Sequence, residues 1–334
     1  MEVESIFYKS LGSDDLVRCE LCSRFCVISN GDVGFCGTQR NVDGKLFACN
    51  FGVFSSVNVD PIEKKPLYHF LPGSFTFSLG GFSCNMSCLN CQNYIISQDL
   101  GQDSQKINLL PDEVVKMASD NDCPSISWTY NEPTLHLQYI LETAKKSKKQ
   151  NIKNTLITNG YMGKKALETI LPYIDAFNVD IKSINNTFYQ KNCNTPIKPI
   201  LDNIKTLYEN KKHIELTNLL ITDENTSKED IEKLTDFIKN ELGCEVPIHF
   251  SRFFPYYKMN DTPPTPVKYL YQAKEIAENK GLENVYLGNI MENQNSYCPQ
   301  CGEEIVKRGR CRTTVKLKNG NCINCNNIAN FILK

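Results

Sequence analysis

Directly after a strand-like run, Phe75 to Leu79, the chain reads Gly80-Gly-Phe-Ser-Cys84-Asn-Met-Ser-Cys88-Leu-Asn-Cys91-Gln-Asn93. Three thiols within eight residues converge on one metal centre only if the backbone wraps round it as a loop. Any fold for this chain must therefore carry such a loop at the end of a strand. Cysteine thiolates hold iron–sulfur clusters, usually four to a cluster. Three local ligands would leave one iron of a four-iron cluster open, and an open position separates a catalytic metal site from a closed structural one. A zinc ion completed by a distant fourth ligand is the alternative on spacing alone.

The chain holds sixteen cysteines in 334 residues, and eleven of them fall into three groups. Besides Cys84, Cys88 and Cys91 these are Cys19, Cys22, Cys26 and Cys36, and Cys298, Cys301, Cys322 and Cys325. The start of the chain has neither the basic stretch nor the apolar run of a secretory signal, so the expected location is the cytoplasm. Close-spaced cysteines there point to metal rather than disulfides. Cys49, Cys123, Cys193, Cys244 and Cys311 stand apart and read as small buried residues. A net charge of −1 gives no global pull toward nucleic acid or membrane, and no apolar run is long enough to span a bilayer.

The first group, with Gly31, Gly34 and Gly37 among it, suits a compact knuckle around one metal centre. Four ligands close the shell of a structural zinc, which is the expected occupant; an auxiliary iron–sulfur cluster, which also uses four thiolates, is the rival, and spacing does not separate them. An alternating pattern from Gly44 to Val59 predicts a short hairpin, and Pro61 and Pro66 mark a boundary. The last group forms two C-x2-C knuckles separated by 20 residues, a zinc-ribbon-like spacing. Between the knuckles lie Lys307, Arg308, Arg310, Arg312, Lys316 and Lys318. They form either a solvated face or a surface for nucleic acid or an acidic partner. The domains expected are thus 1–66, 67–292 and 293–334.

Between the outer groups, apolar β-branched runs at 75–81, 125–130, 154–159, 176–181, 213–221 and 247–253 alternate with helix-period segments. The segments lie near 112–119, 134–149, 163–171, 199–210, 227–241 and 266–280. This alternation predicts an α/β fold with a parallel sheet and right-handed crossovers, a partial (β/α)6 TIM-like barrel. Tyr286 to Asn289 offers a further strand closing the rim.

Each expected strand ends in polar residues. They are Asn131-Glu132 after the second and Thr158-Asn159 after the third. Asp180 and Lys182 end the fourth, Glu215 to Asn218 lie in the fifth, and His249 lies in the sixth. In barrels of this type catalytic groups sit at the C-terminal ends of the strands, so one open-faced site accounts for them together. Singly, Asn131 to Thr134 read as a helix start, Thr158 to Gly160 as a turn, Asp180 with Lys182 as an ion pair, and His249 as a buried histidine. The aromatic loop Phe253 to Lys258, with Asp261 to Pro266, reads as a flap over that face.

The C-x3-C-x2-C motif resembles the signature of the radical S-adenosylmethionine (SAM) enzymes. The segments Asp60 to Gly73 and Cys91-Gln-Asn93 resemble in particular the radical SAM enzyme of the AmmeMemoRadiSam system, a relative of pyruvate formate-lyase activating enzymes. The resemblance spans the chain from the first cysteine group to the last. One position departs: the residue before the third cysteine, usually aromatic, is Asn90.

The resemblance implies that Cys84, Cys88 and Cys91 bind a [4Fe-4S] cluster whose open iron takes S-adenosyl-L-methionine. Reduction would cleave the sulfonium to methionine and a 5′-deoxyadenosyl radical, which abstracts hydrogen from a substrate. It also implies that Asn131-Glu132 meets the SAM amino group, Thr158 and Asn159 the ribose or carboxylate, Asp180 and Lys182 lie beside SAM, and His249 lies near the adenosyl group. A reductant such as ferredoxin or flavodoxin is implied, as are Memo-like and AMMECR-like proteins of the same system. Three functions are open: hydrogen abstraction from a small molecule, peptide or RNA; activation of a glycyl-radical enzyme; and a non-catalytic zinc-ribbon adaptor that kept the barrel as scaffold. The sequence names neither the substrate nor whether SAM is consumed or regenerated.

Overall fold

A computed structural model describes residues 2–12, 15–98, 105–292, 294–309 and 312–334. Arg310 and Cys311 of the basic hairpin lie outside the described residues. The centre is one eight-stranded sheet. In chain order its strands are β1 (Ser56–Pro61), β2 (Phe75–Gly80), β3 (Ser125–Trp128), β4 (Lys153–Thr158), β5 (Ala176–Asp180), β6 (His213–Leu220), β7 (Ile248–Arg252) and β8 (Val285–Gly288). They are hydrogen-bonded in that order, β1 to β8. From β2 onward every neighbour is parallel, while β1 runs antiparallel along β2. The expected six parallel strands are present, and Tyr286 belongs to a seventh.

The crossovers supply the helices α1 (Pro111–Asp120), α2 (Leu137–Lys149), α3 (Lys164–Ile170), α4 (Asn186–Cys193), α5 (Lys198–Glu209), α6 (Lys228–Glu241) and α7 (Val267–Asn279). Six of them bury an apolar stripe: Ile140, Leu141 and Ala144 in α2, Ile200, Ile204 and Leu207 in α5, Ile231, Leu234 and Ile238 in α6 are examples. Six of these helices follow the apolar periodicity. The seventh, α4, has a mostly polar sequence and is set by its ends. Asn185 caps it by accepting from Thr187 N at 2.8 Å, and Asn194 ends it in the left-handed conformation with φ +56°.

The inner face of the sheet is polar. Thr76, Ser125, Ser127 and Thr155 hydrogen-bond one another, so their hydroxyls are satisfied away from water. The segment from Asp60 to Leu71 also holds to inward-facing side chains. Pro66 O accepts from Asn178 Nδ2 at 2.7 Å, and Tyr68 N and His69 N donate to the buried Glu215 carboxylate at 2.9 and 2.7 Å.

The N-terminal region folds as two small three-stranded sheets. Its hairpin is formed by Gln39–Val42 and Lys45–Ala48, five residues earlier at its start than the alternation over 44–59 suggested. The turn is Asp43-Gly44, both at positive φ, the geometry a two-residue hairpin turn demands. The later part of that stretch joins other sheets: Val53–Phe54 pairs with Ile107–Asn108, and β1 joins the barrel. The C-terminal region is a three-stranded sheet of Ser296–Tyr297, Glu304–Arg308 and Thr313–Val315 with a small hairpin after it.

This last module packs beside the two outer strands. Arg308 is buried, donating to Ser296 Oγ at 2.8 Å and Tyr68 O at 2.6 Å with its guanidinium over the Tyr68 ring. Leu71 N donates to Ile332 O at 2.7 Å and Ile332 N to His69 O at 2.8 Å. Arg308 therefore does not belong to a solvated basic face, and Lys316 is paired with Glu304 at 3.3 Å. Among the described residues no helix is long and apolar enough to cross a membrane.

Candidate active site

The cysteine loop leaves β2 through Gly80 and Gly81. A side chain at Gly81 is impossible without displacing its neighbour, since a Cβ there would lie 1.9 Å from the His136 ring. His136 is buried, and burial lowers its pKa to about 4, so the ring against the loop is neutral near pH 7.

Of the strand-end residues predicted from sequence, Asn131, Glu132, Thr158 and Asn159 gather at this loop, and Asn131 and Asn159 hold it. Asn131 Nδ2 donates to Phe82 O and Ser83 O at 3.1 and 3.0 Å, and its Oδ1 accepts from Gly81 N at 2.8 Å. Glu132, fully buried, accepts from Thr134 N at 3.0 Å, Thr134 Oγ1 at 2.5 Å, Thr158 Oγ1 at 2.7 Å and Asn159 N at 2.8 Å. Burial raises its pKa while those four donors pull the other way. The carboxylate ties the end of β3 to the end of β4. Asn159 then reaches the loop, with Nδ2 2.8 Å from Asn85 Oδ1 and 3.7 Å from Cys84 Sγ.

Asp180 and Lys182 form an ion pair at 3.0 Å at the end of β5. Burial by itself would lower the Lys182 pKa. The Asp180 carboxylate, with the Cys88 and Cys193 thiols, outweighs it and holds the ammonium well above its ordinary value. Cys193, buried at the end of α4, lies against Cys88. A hydrogen bond from Cys193 and the Lys182 charge lower the Cys88 pKa to about 7 against the effect of burial. Cys84 goes the other way, pushed up by burial and by Glu132. The loop thus carries its readiest thiolate beside a fixed cation.

His249 is placed apart from these groups. Its Nε2 is 2.8 Å from Glu215, and its ring is stacked on Tyr286 and edge-on to Tyr68, so it joins Glu215 of the fifth expected strand rather than the residues at the cysteine loop. Glu215 also takes His213 at 3.0 Å, and these partners hold its carboxyl well below the usual range in spite of burial. His69 extends this network through Tyr286 Oη at 2.6 Å.

The aromatic loop after β7 reaches the cysteines. Tyr257 stacks on Tyr94 at 4.7 Å and Lys258 N donates to Leu89 O at 3.1 Å. No role was expected of Asn85, buried and bonded to Tyr161 O at 3.2 Å, nor of Asn93 beyond its place in the Cys91-Gln-Asn93 segment; Asn93 donates to Tyr130 O at 2.6 Å. Both lie within or next to the cysteine motif, and that position was the available signal.

The donor set fits a cluster better than a single ion. Four thiolates about 2.3 Å from one tetrahedral zinc lie roughly 3.8 Å apart. The C-terminal quartet meets that geometry: Cys298 and Cys325 sulfurs are 3.5 Å apart, and those of Cys301 and Cys322 3.7 Å. Among the described residues it is the one group of three or more potential ligands whose atoms all lie within 4.8 Å of one another. Cys84, Cys88 and Cys91 stand wider. Around them Asn90 Oδ1, Asn192 Oδ1 and Thr195 Oγ1 are buried with no hydrogen-bond partner, in the loop or in the segment that backs it. Unpaired buried acceptors are costly, and a polar ligand bound at the loop would satisfy them.

Residues 80–238 match the family model of the Radical SAM superfamily. An uncharacterised protein of Methanocaldococcus jannaschii is 41% identical over 307 residues, 91% of this chain and 91% of that protein. The (2S)-3-sulfopropanediol dehydratase activating enzyme of Klebsiella oxytoca is 24% identical over 170 residues, 51% of this chain and 53% of the enzyme. The crystal structure of Streptococcus suis SuiB bound to S-adenosylmethionine superposes with a TM-score of 0.51 at 16% identity, over 65% of this chain and 52% of that one.

Proposed function

We propose, from the match of residues 80–238 to the Radical SAM superfamily model, that Cys84, Cys88 and Cys91 hold a [4Fe-4S] cluster whose open iron takes SAM. The observation that carries this reading is the attachment of Asn131 and Asn159, from the ends of two neighbouring strands that Glu132 ties together, to the loop of the three cysteines. When bound, cluster and SAM together supply one-electron cleavage of the sulfonium to methionine and a 5′-deoxyadenosyl radical, which takes hydrogen from the substrate.

The chain's own residues do the rest. Glu132 and Asn131 fix the loop so that its thiols need not be reorganised when the cluster is loaded. Lys182, cationic and paired with Asp180, offers a positive charge for the SAM carboxylate. Asn90, without a partner, offers an acceptor where the superfamily usually has an aromatic. Tyr94, stacked on Tyr257 and edge-on to Tyr256, forms with them a cover that keeps water from the open face. At the C-terminus, the zinc-like separation of the four sulfurs supports a closed structural zinc.

The substrate class we favour is a small molecule, peptide or RNA, with Memo-like and AMMECR-like proteins in the same pathway, because minimal activases have less need of two appended cysteine modules. A second reading, activation of a glycyl-radical enzyme, is supported by the two curated relatives that are activating enzymes. Anaerobic reconstitution, reduction and addition of SAM test the shared step. The wild type should form 5′-deoxyadenosine and Cys88→Ala none. Equal amounts from both would sink the proposal, and the ratio of 5′-deoxyadenosine to methionine over many turnovers separates consumption of SAM from its regeneration.

A further inference from the structure

The N-terminal cysteines behave differently from the C-terminal ones. Cys19, Cys22, Cys26 and Cys36 line one apolar cavity together with Leu135 and Asn85. Yet no three of their sulfurs lie within 4.8 Å of one another. They are held by several supports. Cys19 ends the strand Val17–Cys19 and its N–H donates to Cys26 O at 2.9 Å. Cys22 forms a bridge with Met162 beyond β4. Cys36 Sγ lies 3.1 Å from Thr38 Oγ1. The chain does not draw these sulfurs into the tight tetrahedron that one zinc ion sets, although the ribbon of the same protein does. A multi-iron cluster spreads its four thiolates over more than one metal, and it suits a wider cage.

This cage is also fastened to the loop of Cys84. Ser83 Oγ donates to Cys36 O at 2.6 Å, and Arg24 Nε donates to Asn85 O at 2.6 Å while its guanidinium stacks 3.6 Å above the Phe35 ring. Ser83 and Asn85 are the two chain neighbours of Cys84. The second attachment runs through the loop after β4: Gly163 N donates to Leu21 O at 3.0 Å, and Tyr161 Oη to Ser23 O at 3.0 Å. Contact there is so close that a Cβ on Gly163 would lie 2.2 Å from Glu20 O. A ligand of one cage is thus one hydrogen bond from the neighbour of a ligand of the other.

We propose that Cys19, Cys22, Cys26 and Cys36 hold a second iron–sulfur cluster, which passes electrons to the centre at Cys84, Cys88 and Cys91. The occupancy stands on the cage alone, and the relay rests on the reaction proposed above. A ferredoxin- or flavodoxin-class donor loses one electron, the N-terminal cluster gains it and hands it on, and it returns to its oxidised state with no bond or proton moved. Cys26 is the least buried of the four, and it is flanked by exposed Phe25 and Val27, an apolar edge at which such a donor can approach.

The test begins with iron, sulfide and zinc counts on the Cys84→Ala/Cys88→Ala/Cys91→Ala variant after anaerobic reconstitution. Retention of about two or four irons per chain with matching sulfide is expected. Zinc in place of that iron overturns the proposal. Mössbauer and electron paramagnetic resonance spectra of the wild type, which need no variant to fold, should show two clusters of which SAM perturbs one; a single cluster overturns it. The relay is read on Cys22→Ser/Cys36→Ser. Turnover driven by reduced flavodoxin should fall at least about tenfold, a loss of ~1.4 kcal/mol in transition-state terms, while dithionite-driven turnover persists. Equal losses with both reductants, or none, overturn the relay. A wild type that carries two clusters yet makes no 5′-deoxyadenosine overturns the reaction and the relay together and leaves the second cluster standing.

Discussion

The two outer cysteine modules have the same number of ligands and opposite construction. The C-terminal quartet sits on two knuckles of one small ribbon, with sulfurs 3.5 and 3.7 Å apart, and its ties to the barrel run through Arg308 and the segment at Ile332. The N-terminal quartet is spread over several supports, is wider, and is bonded to both neighbours of Cys84. On the readings proposed above, the closed tetrahedron beside the barrel holds shape, and the wide cage against the Cys84 loop communicates with it. Ligand count is the same for both, and the supports around the ligands distinguish them.

That contrast is breakable. The largest expected effect is on rate: the cage variant Cys19→Ala/Cys22→Ala should lose more than about tenfold of flavodoxin-driven turnover. The ribbon variant Cys298→Ala/Cys301→Ala should keep its turnover per folded chain. If the two variants lose rate equally, the modules do not differ in role. Stability should reverse the order. Loss of the ribbon metal should lower the melting temperature by roughly 5–10 °C, several kcal/mol for a chain of this size, and calorimetry of zinc-replete and zinc-stripped protein measures it.

Acid should act next. His69, against the ribbon segment, and His136, against the cysteine loop, are buried, and burial lowers their pKa values to about 3 and about 4. The unfolded chain takes up these protons near pH 6.5 and the folded chain does not, so the stability they contribute is complete above pH 6.5 and falls as pH drops toward 4. Between pH 7 and 5 the loss should be of the order of 2 kcal/mol per histidine. A flat denaturation midpoint across that range would show that neither ring is held neutral. The smallest effect sharpens the ribbon's role. Arg308→Met leaves the Tyr68 carbonyl and the Ser296 hydroxyl short of a donor, and should cost about 1–3 kcal/mol with zinc content unchanged. A loss of zinc in that variant would mean that the contact supports the metal rather than the barrel.

Much of this was readable beforehand, for physical reasons. The six expected strands and six expected helices were marked by apolar period, and each appears within a residue or two except where a 3-10 turn, Pro133–His136, precedes α2. The residues at the strand ends were legible as a group because a parallel barrel presents its C-terminal edge to one site. Their partners were not. Asn131, Glu132 and Asn159 were expected to face SAM, and the bonds they make run to the loop and to one another. No local pattern reveals that four donors from two strands will converge on one carboxylate. The helix α4 escaped notice because its sequence is polar, although Asn185 and Asn194 announce both ends. Asp43-Gly44 announced the true hairpin turn, and the longer alternation after it drew attention away. Arg308 looked like part of a basic surface because charge in sequence carries no sign of burial. The width of a thiol cage has no sequence signature.

The pairing of Ile332 with His69 and Leu71 has a consequence in time. Ribosomes deliver β1 to β8 long before residue 332 emerges. During synthesis the strands can pair and the helices can pack, but the segment beside Glu215 and His69 stays uncovered until the ribbon arrives. Chain made up to residue 292 should therefore expose this polar network to water, and residues 293–334 act as a late seal on an already assembled barrel.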